Sequence, residues 1–381
     1  MRVLVCPDKF AGTLSAPAAA AAVLAGWREH APDDHLVARP LADGGPGFVE
    51  VLAAAVPGRL LPVATVDPLG RPAAGEILLT DDGGTPTAYV ESAQACGLHL
   101  LAEAERNPLV TTSYGLGLLL AAAAEAGARR VVLGLGGSAV NDAGAGLLAA
   151  LTAAPLDEAG YALPYGGAPL AVVAGIAGPP RLRGVELVAA TDVDNPLTGL
   201  HGASNVYGPQ KGASRADVLL LDAALERFAT VLERDLPSCP PALAALPGAG
   251  AAGGLGAAVL ALGGRCESGI GLVSRLIGLP AALEAADLVI TGEGSFDQQS
   301  LRGKVVAGVA GAARDRGLPC VVIAGRVSTG RREAAVAGVT ETHSLVEHFG
   351  GAEHGGVRRA MERPAEGLRA VAARAAAQWS R

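Results

Sequence analysis

The stretch from residue 129 to residue 150, RRVVLGLGGSAVNDAGAGLLAA, constrains the fold of this chain more than any other. It opens with a run of Val and Leu, 131–135, which is typical of a buried strand. A glycine-rich loop follows, and then small residues that predict a helix over about 143–151. A strand, a glycine loop and a helix N-terminus together can bind anions, because glycine permits close backbone approach and the first helical N–H groups are free. The stretch therefore predicts an α/β fold with an anion-binding loop.

The loop itself allows three interpretations. Gly136, Gly137 and Ser138 would cradle a phosphate group, and Asn141 and Asp142 lie where a helix cap or a metal-facing side chain would lie. Residues 134–139 also fit the dinucleotide fingerprint G-x-G-x-x-A. The third interpretation is an ordinary tight turn that binds no ligand.

The same pattern of a buried strand followed by a polar or glycine-rich loop recurs along the chain. The residues that follow these strands are Asp8 and Lys9; Asp43, Gly44 and Gly45; Asp192 and Asp194; Gly292, Glu293, Gly294 and Asp297; and Arg326. Open α/β sheets bind their ligands at the carboxyl ends of the strands. We therefore expect these residues to belong to a functional site, together with Ser113 in a hydroxyl-rich loop before a predicted helix.

Lysine is rare in this chain, which has 30 Lys and Arg residues in all. The only lysines are Lys9, Lys211 and Lys304, and each lies in a glycine-containing loop. Arginine supplies the ordinary surface charge. A compact ammonium group retained only in such loops indicates a specific role at those positions.

The composition excludes several classes of protein. The formal net charge is −7 and there is no basic run, which argues against a nucleic-acid surface. Five scattered cysteines without a C-x-x-C pair argue against a disulfide framework or a zinc site and fit a reducing cytoplasm. The N-terminus is typical of a first strand and not of a signal peptide, and no apolar run reaches the length of about 18 residues that a membrane span needs.

Asp192 and Asp194, followed by Asn195, suit a Mg²⁺ site or a general base beside one. Magnesium prefers oxygen ligands and often takes one or two carboxylates together with substrate phosphate. An Asx turn before a proline is the alternative interpretation.

Taken together, these loops resemble the bacterial type I glycerate kinase family. The matching segments are PDKFAGTLSA, LADGG, NPLVTTSYGLG, LGLGGSAVND, TDVDNPLTG, YGPQKGA, GAAGGLG and ITGEGSFDQQSLRGK. Each is weak alone, but they occur in the family order and cover nearly the whole chain.

The resemblance implies two α/β domains, one Rossmann-like with a parallel sheet and one with a mixed sheet, with the active site in the cleft between them. The Rossmann-like domain would comprise residues 1–71 and 285–381, and the inserted domain residues 72–284. The resemblance also implies ATP-dependent phosphorylation of D-glycerate, usually giving 2-phosphoglycerate. The partners would be ATP and a small hydroxy acid, and a homodimer is left open.

Phosphoryl transfer requires positioning and charge neutralisation, and we assign the candidate residues on that basis. The catalytic candidates are Asp8, Lys9, Asp192 and Lys304. The substrate-binding candidates are Asp43, Gly44, Gly45, Ser113 and Arg326. The phosphate- or nucleotide-binding candidates are Gly136, Gly137, Ser138, Asn141, Lys211, Gly292 and Gly294. The Mg²⁺ candidates are Asp192, Asp194, Glu293 and Asp297, and the last two are alternative bases.

Three departures from the family pattern leave the acceptor open: Ala11 replaces a lysine, and Pro46 and Phe48 replace an acid and a hydroxyl. They allow a larger or less polar acceptor, or a paralogue that binds without catalysis. The remaining alternative is an NAD-dependent oxidoreductase, which needs an acid about 20 residues after the glycine loop, near Asp157.

Overall fold

The structure, a computed structural model, describes residues 1–182, 184–298, 300–301 and 305–380. Its strands in chain order are β1 Arg2–Pro7, β2 His35–Ala38, β3 Arg59–Val66, β4 Pro72–Asp82, β5 Thr85–Glu91, β6 Arg130–Gly134, β7 Pro155–Leu156, β8 Gly175–Ile176, β9 Glu186–Ala190, β10 Arg265–Glu267, β11 Leu288–Gly292, β12 Ser295–Phe296, β13 Cys320–Ala324, β14 Arg326–Val327 and β15 Glu341–Ser344.

The α-helices in chain order are α1 Ala16–His30, α2 Phe48–Ala55, α3 Ala93–Cys96, α4 Tyr114–Glu125, α5 Ala145–Ala150, α6 Ala203–Tyr207, α7 Arg215–Asp235, α8 Ala251–Ala261, α9 Gly269–Leu276, α10 Leu279–Glu284, α11 Val305–Arg314, α12 Arg331–Val336, α13 Leu345–His348, α14 Gly356–Glu362 and α15 Pro364–Trp379. Among the described residues, no helix combines the length and the apolar character that crossing a membrane requires.

The chain forms two compact units. Unit 1 comprises residues 1–43, 50–56 and 270–381, and unit 2 comprises residues 44–49 and 57–269. The sequence-based division assigns residues 57–71 to the first domain. In the structure, β3 pairs with β4 along its whole length, from Arg59 opposite Leu79 to Val66 opposite Pro72. Residues 57–71 therefore group with unit 2.

Unit 1 contains a parallel five-stranded sheet in the order β15-β13-β11-β1-β2. Strands β11 and β13 are buried at every position, as expected for a parallel sheet that helices cover on both faces. Helix α1 packs on α15 so closely that a Cβ on Gly26 would lie 2.0 Å from the Arg369 carbonyl oxygen. Because the strands are parallel, their carboxyl ends lie along one edge of the sheet.

Unit 2 contains a six-stranded sheet in the order β10-β9-β6-β5-β4-β3. The strands from β10 to β5 are parallel, and β4 pairs antiparallel with both β5 and β3. Its core consists mainly of Leu, Val and Ala side chains from this sheet and from helices α4, α5, α7 and α8. The predicted α/β class, with one parallel and one mixed sheet, is thus confirmed.

One predicted helix begins later than the sequence indicates. The small-residue run predicts a helix from about residue 143, whereas α5 begins at Ala145. Ala143 and Gly144 have φ values of 47° and 75°, in the left-handed region. The chain therefore turns sharply between Asp142 and the helix.

Candidate active site

A cavity of about 400 Å³ lies in unit 1 at the carboxyl ends of β1, β11 and β13. Its polar lining contains most of the residues that the sequence predicts for the first and last thirds of the chain. These residues are Asp8, Lys9, Asp43, Glu293, Gly294, Asp297 and Arg326. Parallel strands thus bring together residues as distant in the sequence as Asp8 and Arg326.

Asp8 and Lys9 follow β1 and are held by its partner strand. The Asp8 amide donates to the Gly292 carbonyl at 2.8 Å, which extends the β1–β11 pairing by one residue. The Asp8 carboxylate accepts a hydrogen bond from the Lys9 amide at 2.7 Å, and the Lys9 ammonium lies 3.9 Å from it. The Lys9 side chain keeps 24% of its exposure, so a ligand in the cavity can reach its charge.

Glu293, Gly294 and Arg326 are positioned by a short parallel pair between β12 and β14. The Gly325 amide donates to the Glu293 carbonyl at 3.0 Å, and the Arg326 amide donates to the Gly294 carbonyl at 3.0 Å. Among the residues that the structure describes, none forms a hydrogen bond or ion pair with the Arg326 guanidinium, which is exposed. Among the described residues that line the cavity, the accessible cations are Lys9 and Arg326, and several carboxylates line it with them.

The other wall of the cavity is apolar and was missed by the sequence analysis. It consists of Phe10, Ala11, Leu345, Val346, Val357, Ala360 and Met361. Val357, Ala360 and Met361 lie at positions i, i+3 and i+4 of α14, a spacing that places them on one face of the helix. That spacing was the available signal in the sequence.

The predicted glycine residues of unit 2 lie against other protein backbone. A Cβ on Gly136 would lie 2.6 Å from the Gly45 Cα, and a Cβ on Gly44 would lie 2.5 Å from the Ala190 carbonyl oxygen. A Cβ on Gly137 would lie 2.9 Å from the Pro46 Cδ. These glycines allow residues 44–46 to pack on the 134–137 loop, and Gly137 remains exposed at its tip. A phosphate-binding role for this loop stays a prediction. Gly292, at the end of β11, also lies against protein backbone, because a Cβ on Gly292 would lie 1.9 Å from the Ile323 carbonyl oxygen.

Phe48, which the sequence places in the acceptor loop, is a core residue of unit 2. Its side chain is 0% exposed and meets the Tyr89 ring edge-on, with 6.3 Å between ring centroids. The neighbouring amides of Gly47 and Val49 donate to the Glu91 carboxylate at 3.0 Å and 3.3 Å. Phe48 thus fixes the loop by packing, while Pro46 is half-buried beside Gly137.

Ser113 belongs to a closed network around Asp142, which the sequence places, like Asn141, where a helix cap or a metal-facing side chain would lie. The Asp142 carboxylate accepts hydrogen bonds from the Ser113 amide at 2.9 Å and the Ser113 hydroxyl at 2.8 Å. It also accepts from the amides of Gly144 and Gly146, at 3.1 Å and 3.2 Å, at the start of α5. Burial raises the pKa of Asp142, and these hydrogen bonds oppose that rise.

Lys211, Ser138 and Asn141 lie in the same buried region. Lys211 is 2% exposed, and its amine donates to the Ser138 hydroxyl at 3.1 Å and to the Val140 carbonyl at 2.6 Å. Burial lowers the pKa of Lys211 to about 7, against the opposing attraction of Asp142. The Asn141 amide group donates to the Ser204 hydroxyl at 2.9 Å, whereas its buried oxygen accepts no hydrogen bond from the described residues.

Asp192 and Asp194 follow β9 in unit 2 and are exposed. The Ser268 hydroxyl donates to the Asp192 carboxylate at 2.7 Å. Asn195 is fixed by the Tyr207 hydroxyl at 2.7 Å and by the His201 carbonyl at 2.8 Å. Within the described part of the chain, no group of three or more His, Cys, Asp or Glu side chains could hold a metal ion. Two exposed carboxylates nevertheless fit the coordination preference of Mg²⁺, which binds one or two carboxylates and completes its coordination shell with water and substrate phosphate.

Lys304 lies outside the described residues. Asp157, the acid that the dinucleotide alternative requires, accepts hydrogen bonds from the amides of Ala159 and Tyr161, both at 2.9 Å. It closes a local turn in an exposed loop, and this geometry gives the NAD-dependent alternative no support.

Comparison with known proteins decides the family. The model of the Glycerate kinase family matches residues 3–380. The chain is 41% identical to the glycerate 2-kinase of Escherichia coli K12 over 86% of either chain, and 42% identical to the glycerate kinase of Bacillus subtilis 168 over 91% of this chain and 90% of the relative. The crystal structure of a Salmonella typhimurium LT2 protein assigned as glycerate kinase 2 superposes with a TM-score of 0.80 at 38% identity, covering 99% of this chain and 98% of that chain.

The chain belongs to the glycerate kinase family. The resemblance inferred from the ordered motifs is therefore confirmed, and with it the prediction that the chain is an enzyme of the phosphotransferase class. Membership in a kinase family implies ATP as a substrate and a small molecule as the phosphoryl acceptor.

Proposed function

We propose that this enzyme transfers the γ-phosphoryl group of ATP to D-glycerate, or to a closely related hydroxy acid, and that it gives 2-phosphoglycerate from glycerate. The observation that carries the proposal is the cavity of unit 1. It gathers the separately predicted residues Asp8, Lys9, Asp43, Glu293, Asp297 and Arg326 at the carboxyl edge of a parallel sheet.

The chemistry of that cavity suits a phosphorylated or carboxylated ligand. Lys9 and Arg326 would neutralise the anionic groups of the substrates, and a guanidinium can bind a carboxylate through two hydrogen bonds. Asp8 and Asp43 would bind the acceptor hydroxyls, and one of them or Asp192 would accept the proton that the attacking hydroxyl loses. Lys304 is proposed to contribute a further cation.

Asp192 and Asp194 are the proposed ligands of Mg²⁺, with Glu293 and Asp297 as the alternative pair. The ion would neutralise charge on the transferring phosphoryl group when bound. Gly137, at the exposed tip of its loop, and the neighbouring Gly136 are the proposed contacts to phosphate. A cytoplasmic location belongs to the same proposal.

The proposal is tested by ADP release, measured over a panel of 2- and 3-carbon and larger hydroxy acids with and without Mg²⁺. We expect Mg²⁺-dependent turnover with D-glycerate or a close 2,3-dihydroxy acid. If ATP binds but no acceptor raises ADP release above the rate without acceptor, the catalytic proposal is wrong and a binding paralogue is the better account.

A further inference from the structure

We infer that Lys211 is a positioning residue, whose side-chain amine clamps two glycine loops of unit 2 together and does not itself contact phosphate. The first glycine loop is residues 136–143 and the second glycine loop is residues 250–254. The part of this inference that concerns catalysis rests on the proposed kinase function.

The surroundings of the amine support this role. Its two hydrogen-bond acceptors, the Ser138 hydroxyl and the Val140 carbonyl, both belong to the first glycine loop. A Cβ on Gly253 would lie 2.8 Å from the Lys211 Nζ and 1.9 Å from the Val140 carbonyl oxygen. The second glycine loop therefore covers the amine from the other side.

The two loops also contact each other directly. The Ala143 amide donates to the Gly253 carbonyl at 3.1 Å, and a Cβ on Gly254 would lie 2.7 Å from the Ala143 Cα. Backbone approaches this close tolerate little relative movement. Losing the group that lies between the loops should shift both of them.

Both loops have unfavourable backbone conformations that need external support. Ala143 and Ala252 have φ values of 47° and 53°, and left-handed geometry is costly for residues with a Cβ. Gly253 and Gly254 are left-handed as well, at 75° and 91°. Such conformations persist only where surrounding contacts impose them, and the Lys211 amine supplies contacts at the point where the loops meet.

The amine is unsuited to direct ligand contact. Lys211 as a whole is 2% exposed, and the exposed residue of the first glycine loop is Gly137. The charged and titratable groups around it are Asp142, which is saturated by hydrogen bonds from Ser113, Gly144 and Gly146, and the buried Cys96. No carboxylate in the described residues lies within ion-pair distance of Lys211. The hydrogen bonds to Ser138 and Val140 therefore replace solvent around the amine.

The test compares Lys211→Met with the matched control Arg227→Met. Arg227 also donates a cationic N–H to a loop carbonyl of unit 2, that of Val173 at 2.7 Å, but away from both glycine loops. Hydrogen exchange is measured for the amides of residues 136–143 and 250–254, together with steady-state kinetics for ATP and D-glycerate. We expect Lys211→Met to lose protection in both loops and to lower kcat by about 10²-fold, the effect of a misplacement of about 1 Å. Arg227→Met should retain the protection of both loops.

A second variant keeps the inference testable if Lys211→Met does not fold. Lys211→Ala leaves space for propylamine, which should restore loop protection and turnover as its concentration rises, whereas propanol should not. Unchanged loop protection in a folded Lys211→Met variant, with a raised KM for ATP, would overturn the inference in favour of direct phosphate contact. If the wild-type enzyme phosphorylates no acceptor, the proposed function fails, but the exchange data still decide whether Lys211 clamps the loops.

Discussion

The cavity of unit 1 and the Lys211 network of unit 2 use similar residues in opposite ways. In the cavity, Lys9 keeps 24% of its side-chain exposure and the Arg326 guanidinium is exposed. In the network, Lys211 is 2% exposed and Asp142 is fully buried, and their hydrogen bonds go to loop backbone and hydroxyl groups. A polar glycine-rich loop after a parallel strand can therefore either present charge to a ligand or hold its own backbone. Exposure of the charged group distinguishes the two cases.

The largest effect that this comparison predicts is on the stability of unit 2. Gly253→Ala would place a Cβ 1.9 Å from the Val140 carbonyl oxygen at a φ of 75°. We expect a loss of more than about 4 kcal/mol in the free energy of unfolding, or failure to fold. Gly160→Ala is the control, since Gly160 also has a positive φ, 84°, but no atom within 4 Å of its Cβ position. It should cost about 1–2 kcal/mol. Equal costs in urea unfolding would show that the loops are not tightly packed.

Substitutions at Phe48 and Pro46 distinguish a role in core packing from a role in substrate selectivity within one loop. Phe48→Thr should destabilise unit 2 by about 3 kcal/mol, because it removes a ring that is 0% exposed from the core. Pro46→Glu should leave stability nearly unchanged and should shift kcat/KM toward glycerate relative to larger hydroxy acids. A stable Phe48→Thr variant with altered selectivity would contradict the placement of Phe48 in the core.

A substitution at Lys9 should lower catalytic activity and leave the free energy of unfolding almost unchanged, unlike the Gly253→Ala and Phe48→Thr substitutions in unit 2. Lys9→Arg keeps the charge but replaces a compact ammonium with a wide planar group, and we expect kcat/KM to fall by about 10–100-fold. The free energy of unfolding should change by less than about 1 kcal/mol, because a partly exposed ion pair contributes little. Arg28→Lys, on the exposed end of α1, is the control and should alter neither quantity. Wild-type kinetics in Lys9→Arg would show that the scarcity of lysine carries no functional information.

The last predicted effect is a pH dependence of the free energy of unfolding due to Lys211. Its pKa is about 7 in the folded chain and 10.5 in the unfolded chain. Between these values the unfolded chain binds a proton that the folded chain does not, so stability should rise with pH across this window and stay constant in this respect below it. Asp142 and Cys96, the titratable groups nearest the amine, are retained in Lys211→Met, so the difference between variant and wild type isolates Lys211. A Lys211→Met variant with the same slope from pH 7 to 10 would contradict this assignment.

The sequence predicted the strands and the residues at their carboxyl ends well. Strands such as 186–190 are short apolar runs with clear boundaries, and the parallel arrangement places Asp8, Glu293 and Arg326 on one edge. The sequence could not show that Lys9 is partly exposed whereas Lys211 is buried, since both lysines lie in glycine-containing loops. Burial of Lys211 depends on the second glycine loop, residues 250–254, which is distant in sequence.

The apolar wall of the cavity was missed for a related reason. Val357, Ala360 and Met361 are ordinary helix residues, and only the placement of α14, which packs on α13 and α15, makes them line a cavity. The sequence could not predict the burial of Phe48, because a departure from a family motif suggests altered chemistry as readily as altered packing. In the structure Phe48 is buried and packs against Tyr89.

The most direct test of the account is ³¹P NMR of a reaction containing the enzyme, ATP, Mg²⁺ and D-glycerate, run beside an identical reaction with Lys9→Met. The account predicts that the γ-phosphate signal of ATP is replaced by that of 2-phosphoglycerate and ADP with the wild-type enzyme. It predicts that the rate falls at least about 100-fold with the folded Lys9→Met variant, because an exposed cation of the unit 1 cavity is lost. A phosphoglycerate signal that appears at the same rate with both proteins would contradict the assignment of this cavity as the site of phosphoryl transfer.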